Sequence, residues 1–259
     1  MASSIVGSVY RFRWLLFELV YRDIALRYRG SVLGFLWTIL NPLLAMLVYT
    51  LVFSVFLRVA IPHYPLFLLS GLLPWIWFAS SIAMGATSIV DGRIYVSRSV
   101  FAPVLLVMVP ICSNLVNFIL SVPLFFALAA FFGAPLGLPL LFLPVIVAIQ
   151  FILLLAIVLM LATYNVFYRD LQQLMVTILS LIFYLAPIFY PLESVPSNFR
   201  PFVFLNPMAA LVVAYQDIFY YDRFPSLRLM GYAFLVSIVL LLIGMRVFDR
   251  YKDAFADYA

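Results

Sequence analysis

Charged side chains are scarce in this chain of 259 residues: they make up 10% of it, whereas 67% of its residues are hydrophobic. Soluble domains carry about 25% charged and roughly 45–50% apolar residues, so this composition cannot cover a water-facing surface. Intrinsic disorder is excluded because it requires low hydrophobicity. A transmembrane β-barrel is disfavoured because its strands alternate apolar and polar residues, and here the apolar runs are continuous. The composition therefore predicts an all-α integral membrane protein.

Residues that commonly bind metals, close disulfides or hold nucleotide phosphates are nearly absent. The chain has one cysteine, Cys112, one histidine, His63, and one lysine, Lys252. An internal disulfide and a cysteine zinc cluster are therefore excluded, and His63 is interpreted as a polar loop residue and not as part of a metal site or a triad. A P-loop needs Gly-Lys-Ser/Thr, and Lys252 follows Tyr251, so the chain has no such nucleotide site. We expect no catalytic residue, no metal site and no directly bound cofactor.

The scarce charges divide the chain into long uncharged runs. One helical crossing takes about 20 residues, so the 70-residue run between Arg98 and Arg169 fits two crossings. Its break is predicted at 133–139, where glycine and proline disfavour a helix. The sequence predicts one transmembrane domain over 1–259 with six spans. These predicted spans are 34–57, 65–90, 103–132, 139–167, 171–190 and 229–248.

A shorter uncharged stretch of 16 residues lies between Arg200 and Asp217 and contains Asn206-Pro207. It is too short for a crossing, which indicates a re-entrant or interfacial segment. We therefore predict an extracytoplasmic re-entrant region over 194–222.

Positive residues are distributed unequally between the two sides of the predicted bundle. Six spans place both termini on one side, which holds 11 of the 15 arginine and lysine residues. Because cytoplasmic loops carry the excess of positive charge, both termini are predicted to be cytoplasmic. The arginines are dispersed and the net charge of +5 is modest, so the charge indicates membrane anchoring and no nucleic-acid partner.

The segment 10–30 before the first span has the pattern of an amphipathic helix. Trp14, Phe17, Tyr21, Ile24 and Tyr28 recur at spacings of three and four, which places them on one helical face. Such a helix lies in the membrane interface, with its arginines toward anionic headgroups. It is either a plain membrane anchor or a docking surface for a cytoplasmic partner.

Carboxylates are absent from the middle of the predicted spans. Asp91, Asp170 and Glu193 lie at span ends, whereas carriers driven by ion gradients usually have ionisable residues at depth. The sequence therefore disfavours such a carrier. A passive scaffold and a pore driven by a separate engine remain.

Several motifs, in order along most of the chain, carry a family resemblance. They are RYRGSVLGFLWTILNPLL at 27–44, NVFYRDL at 165–171, APIFYP at 186–191, LNPM at 205–208 and FAD at 255–257. The set resembles the permease subunits of ABC transporters of the type-2 exporter class, in the branch that exports polysaccharides such as O-antigen.

The resemblance implies a homodimer bound to two separate nucleotide-binding ATPase subunits, which would hold ATP and Mg. It also implies re-entrant helices between spans five and six, and a short coupling helix in the loop after span two. That loop could equally be an ordinary positive-inside loop. The candidate contacts to the ATPase are Arg22, Asp91, Gly92, Arg93, Ile94, Tyr95 and Arg98.

A path for a polysaccharide needs hydrogen-bonding groups and flat apolar faces on which sugar rings can stack. The candidate channel-lining residues are Trp37, Tyr49, Phe53, Trp75, Trp77, Phe78, Asn114 and Asn117. The aromatic ones could instead pack helices or face lipid. Asn114 and Asn117 share a helical face with Ser121, which either faces a wet cavity or joins helices.

The lipid carrier implied by the resemblance has a pyrophosphate head, which the guanidinium fork of arginine suits. Arg27 and Arg29, just before span one, are the candidates to contact it. The alternative is anchoring to lipid headgroups.

The preferred function is export of a lipid-linked, O-antigen-like polysaccharide across the bacterial inner membrane by a multi-pass subunit of an ATP-driven exporter. One alternative is an exporter permease for teichoic acid, capsule, lipid or drug. The other is a membrane scaffold that transports nothing.

Overall fold

The structure is a computed structural model that describes residues 7–8, 10–96 and 102–255. The described part is helical and contains no strand. Its helices are α1 (Arg13–Tyr28), α2 (Trp37–Thr50), α3 (Tyr64–Asp91), α4 (Arg93–Val96), α5 (Val104–Phe132), α6 (Leu143–Phe167), α7 (Leu171–Leu185), α8 (Arg200–Val203), α9 (Pro207–Phe219) and α10 (Leu227–Tyr251).

Within the described residues, five helical segments are long and apolar enough to cross a membrane. They are Gly34–Phe56, Tyr64–Asp91, Val104–Phe132, Leu138–Phe167 and Leu227–Ala254. These segments coincide, within a few residues, with the predicted spans one to four and six. The chain is therefore a multi-pass helical membrane protein.

The predicted fifth span, 171–190, is not one long helix. The helix α7 covers 15 residues and ends before Ala186, whose ψ of 141° is extended. At about 1.5 Å per residue, α7 is shorter than the roughly 30 Å hydrocarbon core. Pro187 explains where it ends, because a residue before proline is biased away from helical geometry. The helix α7 alone is therefore too short to show a sixth crossing.

The predicted re-entrant region, 194–222, contains α8 and α9. All residues of α9 from Met208 to Phe219 are buried, and the helix packs against α3, α6 and α10. Its start is fixed by Asn206, whose side chain accepts a hydrogen bond from the Met208 amide at 3.0 Å. A short buried helix is therefore present, while its approach from the extracytoplasmic side stays a prediction.

Small residues bring the long helices close together. The Gly244 Cα lies against the Ala156 carbonyl, so that α10 packs tightly on α6, and Gly85 of α3 faces Val158 of α6. Lipid tails are as apolar as the side chains, so the hydrophobic effect does not drive helices together inside a membrane. Helices associate there through close packing, which small residues permit.

The predicted N-terminal helix is present as α1, and the residues of its predicted face differ in exposure along its length. Trp14, Phe17 and Tyr21 are exposed, whereas the Tyr28 ring packs edge-on against Phe35. The other side of α1 contacts α5. The helix thus lies along the bundle with its first aromatic residues turned away from the protein.

Contacts between distant elements define two ends of the bundle. The α1 end gathers α1, α4 and the adjoining ends of α3, α5 and α7, which together line one cavity. At the opposite end, Tyr220 donates to the Pro62 carbonyl at 2.7 Å and Asp222 accepts from the Gly137 amide at 2.8 Å.

Candidate functional site

A partly open cavity of about 200 Å³ lies between α1, α2, α3 and α5 near the α1 end. We call it the polar recess. Five residues that the sequence singled out separately meet there, namely Arg27, Trp37, Trp77, Asn114 and Asn117. Sequence reasoning missed the other polar residues of its wall, which are Tyr28, Thr38, Asn41 and Ser80, with Ser121 noted only as a neighbour on the helix.

The two asparagines of α5 join α1 to the bundle as well as bordering the recess. Arg27 Nη1 donates to Asn114 Oδ1 at 2.8 Å, and the Tyr28 hydroxyl donates to Asn117 Oδ1 at 3.3 Å. Farther along the same face, the Ser121 hydroxyl donates to the Thr38 carbonyl of α2 at 3.0 Å. This face of α5 therefore joins helices and also lines a cavity.

The guanidinium of Arg27 is already paired within the protein. Its Nη2 lies 2.6 Å from Asp23 Oδ2, one turn earlier on α1, and its Nη1 is held by Asn114. Its Nε is buried and has no hydrogen-bond partner among the described residues. Arg29 is exposed and forms no ion pair or side-chain hydrogen bond within the described residues. The two arginines thus differ: Arg27 fixes α1 to α5, and Arg29 is available to a ligand.

The other aromatic channel candidates form a packed cluster away from the recess. Tyr49 of α2 and Phe53, in the π-helical segment Leu51–Phe56 that continues α2, lie with ring centroids 4.9 and 4.8 Å from Phe189, in the turn after α7. Trp75 lies 5.4 Å from Phe183 of α7 and 5.4 Å from Phe78. In a single chain these rings pack α2 and α3 against α7. Helix packing therefore describes their role better than lining an open channel.

An exposed row of polar residues on α7 was not recognised in the sequence. Gln173, Thr177, Ser180 and Tyr184 follow spacings of four, three and four, and all are exposed. We call this row the α7 polar stripe. Leu179 is the only buried residue of α7. The three-and-four spacing of these polar residues in the sequence is the signal that predicts such a stripe on a helix.

The predicted contacts to an ATPase converge at the α1 end. Arg22 Nη1 donates to the Tyr95 hydroxyl at 2.7 Å, joining α1 to α4. Both residues line a cavity of about 610 Å³ together with Asp91 and Gly92. Arg93 and Ile94 are exposed, whereas Arg98 lies outside the described residues.

The opposite end carries an ion-paired loop. Asp217, at the end of α9, is buried, and Arg223 Nη2 lies 2.7 Å from its Oδ1. Burial raises the pKa of the Asp217 carboxyl, and the Arg223 guanidinium opposes this by lowering it. Glu193 lies farther from Arg223, at 3.8 Å. These contacts tie the loop after α9 to the loop before α8.

The sequence profile of the family described as ABC-2 type transporter matches residues 15–220. The chain therefore belongs to the ABC-2 type transporter family.

Three relatives cover nearly the whole chain. It is 40% identical over 255 residues to the "O-antigen export system permease protein RfbA" of Myxococcus xanthus, covering 98% of each chain. It is 30% identical over 244 residues to the protein of the same name from Klebsiella pneumoniae, covering 94% of each. It is 22% identical over 250 residues to the "Polysialic acid transport protein KpsM" of Escherichia coli, covering 91% of this chain and 93% of that one.

Proposed function

We propose that the chain is the membrane-spanning subunit of an ATP-driven exporter that moves a lipid-linked, O-antigen-like polysaccharide across the bacterial inner membrane. The observation that carries this proposal is the similarity to two permeases named for O-antigen export, which extends over 98% and 94% of the chain. The exporter would be a homodimer of this chain with two ATPase subunits that hold ATP and Mg. The termini would be cytoplasmic. The helix α7 with its following turn would form the predicted fifth span and so bring the number of crossings to six. The segment 194–222 would re-enter the membrane from outside.

The ATPase subunits would dock at the α1 end. The exposed Arg93 and Ile94 of α4 offer a contact, and the bond from Arg22 to Tyr95 links this contact to α1. The bond from Arg27 to Asn114 then links α1 to α5. A movement of α4 can therefore reach a long membrane helix through two side-chain hydrogen bonds.

The transport path would run along the α7 polar stripe. Polar groups inside a bilayer need partners, because lipid offers none. The Thr177 and Ser180 hydroxyls already donate to carbonyls one turn earlier on α7. A homodimer with the two stripes facing a shared wet path would supply partners for the side chains of Gln173 and Tyr184. The aromatic cluster of Tyr49, Phe53, Trp75 and Phe78 would then support α7 from behind.

Arg29 would contact the pyrophosphate head of the lipid carrier. It is exposed beside the start of span one and is not neutralised by a neighbour, in contrast to Arg27. Anchoring to ordinary headgroups is the alternative. Normal export at normal protein level by both Arg27→Ala and Arg29→Ala would rule out pyrophosphate recognition by this pair.

Co-purification tests the proposal. The chain would be expressed with the products of its neighbouring genes, extracted in mild detergent and analysed for bound proteins and ATP hydrolysis. We expect a stoichiometric partner with a P-loop and ATPase activity. A chain that purifies without any ATPase would contradict the exporter and favour the scaffold.

The similarity to a permease named for polysialic acid transport supports a second cargo class, a capsule-type polysaccharide. The identity of 22% is lower than that to the two O-antigen permeases. Two observations distinguish these cargo classes. One is which glycosyltransferase genes lie beside the gene for this chain, and the other is which polysaccharide is lost when that gene is deleted.

A further inference from the structure

We propose that the polar recess is a binding subsite for one neutral sugar unit of the exported chain. The ligand class rests on the proposed function. The site itself rests on the size, charge and unpaired polar groups of the recess.

The size of the recess fits one sugar unit. Its volume of about 200 Å³ exceeds by more than tenfold the about 10–15 Å³ that a single water needs. It is smaller than the roughly 300–1,000 Å³ of pockets for larger ligands. Trp37 and Asn41 are exposed at its margin, so the recess is accessible from the surface beside α2.

The wall of the recess combines one accessible aromatic face with neutral hydrogen-bonding groups. Trp37 contributes an exposed indole ring, whereas Trp77 is buried and stacks on Phe118. Asn41 and Ser80 contribute an amide and a hydroxyl. A sugar ring presents C–H faces and hydroxyl groups, and it can therefore pack on an indole while bonding to an amide. A lipid chain could pack on an indole but could not form hydrogen bonds with the amide or the hydroxyl.

The recess is electrostatically suited to a neutral ligand. Arg27 is the one charged residue in its described wall, and Asp23 holds its guanidinium at 2.6 Å. A pyrophosphate would have to compete with this carboxylate at close range, which costs Coulomb energy in a low-dielectric site. The recess therefore favours an uncharged sugar over the charged head of a lipid carrier.

Two polar side chains of the recess wall, Asn41 and Ser80, form no hydrogen bond within the described part of the chain. The Arg27 Nε–H also has no partner, but it is buried and out of reach of an occupant. A polar group shielded from bulk water gains from a hydrogen-bond partner, so an occupant that supplies hydrogen bonds is favoured. The hydroxyls of a sugar unit can accept from Asn41 and donate to Asn41 and Ser80.

A binding measurement on the full-length chain in lipid nanodiscs tests the subsite without any ATPase. The probes are methyl glycosides of glucose, galactose, mannose and N-acetylglucosamine, with inorganic pyrophosphate as the charged alternative. Binding is followed by saturation-transfer NMR and tryptophan fluorescence. The variants are Asn41→Leu and Ser80→Leu, and Asn198→Leu at the opposite end is the matched control. Because Asn41 is exposed, its variant is expected to fold even if Ser80→Leu does not.

We expect at least one glycoside to bind saturably, with half-saturation in the roughly millimolar range. Binding should weaken at least fivefold in Asn41→Leu, remain unchanged in Asn198→Leu and be unaffected by pyrophosphate. The subsite is overturned if no glycoside saturates, if Asn41→Leu binds like the unaltered chain, or if pyrophosphate displaces the glycoside. Absence of export by an assembled exporter would instead refute the proposed function and leave this binding result standing.

Discussion

Single buried amides bond to backbone carbonyls of neighbouring elements. Gln216 Nε2 donates to the Pro187 carbonyl at 2.7 Å, and Gln150 Nε2 donates to the Pro74 carbonyl at 2.9 Å. Both glutamines are buried. The Pro187 carbonyl lies beyond the end of α7, outside a helical ladder, and Gln216 satisfies it where lipid and protein interior supply no water. Pro74 is inside α3, so the Gln150 bond adds a contact between α6 and α3.

Replacing Gln216 with leucine should lower stability, because the buried Pro187 carbonyl loses its donor. The expected cost is about 1–3 kcal/mol, seen as a lower thermal unfolding midpoint of the purified chain in detergent. Gln173→Leu is the matched control, since that glutamine is exposed on α7. An equal midpoint for the two variants would show that the Gln216 bond does not hold the segment after α7.

The pairing of α6 with α10 is set by how closely the two backbones approach. A Cβ added at Gly244 would lie 2.8 Å from the Ala156 carbonyl oxygen, whereas a Cβ at Gly231 on the same helix meets nothing within 4 Å. Backbone atoms cannot yield as a side chain can. The helix α10 must therefore separate from α6 when Gly244 gains a side chain.

Gly244→Ala should destabilise the chain by about 1–3 kcal/mol through overpacking. Gly231→Ala, the control on the same helix, should be neutral or stabilising by up to about 1 kcal/mol, since alanine favours a helix over glycine. Thermal unfolding of both variants measures the difference. A Gly244→Ala variant as stable as Gly231→Ala would refute the close approach of the two helices.

The link between α1 and α4 is predicted to transmit ATP-driven movement. Tyr95→Phe removes only the hydroxyl that accepts from Arg22. In the assembled exporter, ATP hydrolysis and assembly should persist while export per ATP falls severalfold. Tyr168→Phe is the matched control, because Tyr168 is exposed and its side chain has no partner within the described residues. Equal export by the two variants would contradict this role.

The elements predicted well are those that depend on local sequence. Five spans follow from the length of uncharged runs, and the helix at α1 follows from its three-and-four spacing. The end of α7 was missed although Ala186-Pro187 carries a local signal for it. In the site, the meeting of Arg27 with Asn114 joins residues 87 positions apart, and no local pattern encodes such a pairing. For the same reason the sequence placed Trp37 and Trp75 in one group, whereas the structure separates them.

Cysteine labelling tests the predicted orientation of the chain in the membrane, once the single native cysteine has been removed. In a Cys112→Ala background, Asn198→Cys should react with an impermeant maleimide added to cells with a permeabilised outer membrane. Ser8→Cys should react only after the inner membrane is broken. The reverse pattern would place the termini outside and contradict the positive-inside assignment.

As the membrane subunit of an exporter, this chain should conduct a polysaccharide when a partner hydrolyses ATP. The most direct measurement uses inside-out membrane vesicles that contain the chain and its ATPase partner, with labelled lipid-linked polysaccharide added outside. We predict that ATP makes the polysaccharide resistant to external glycosidase, and that a hydrolysis-defective partner abolishes this protection. The contrary result is a polysaccharide that external glycosidase digests as readily as in vesicles without the chain, although the complex hydrolyses ATP. That result would show that the chain does not conduct the polysaccharide.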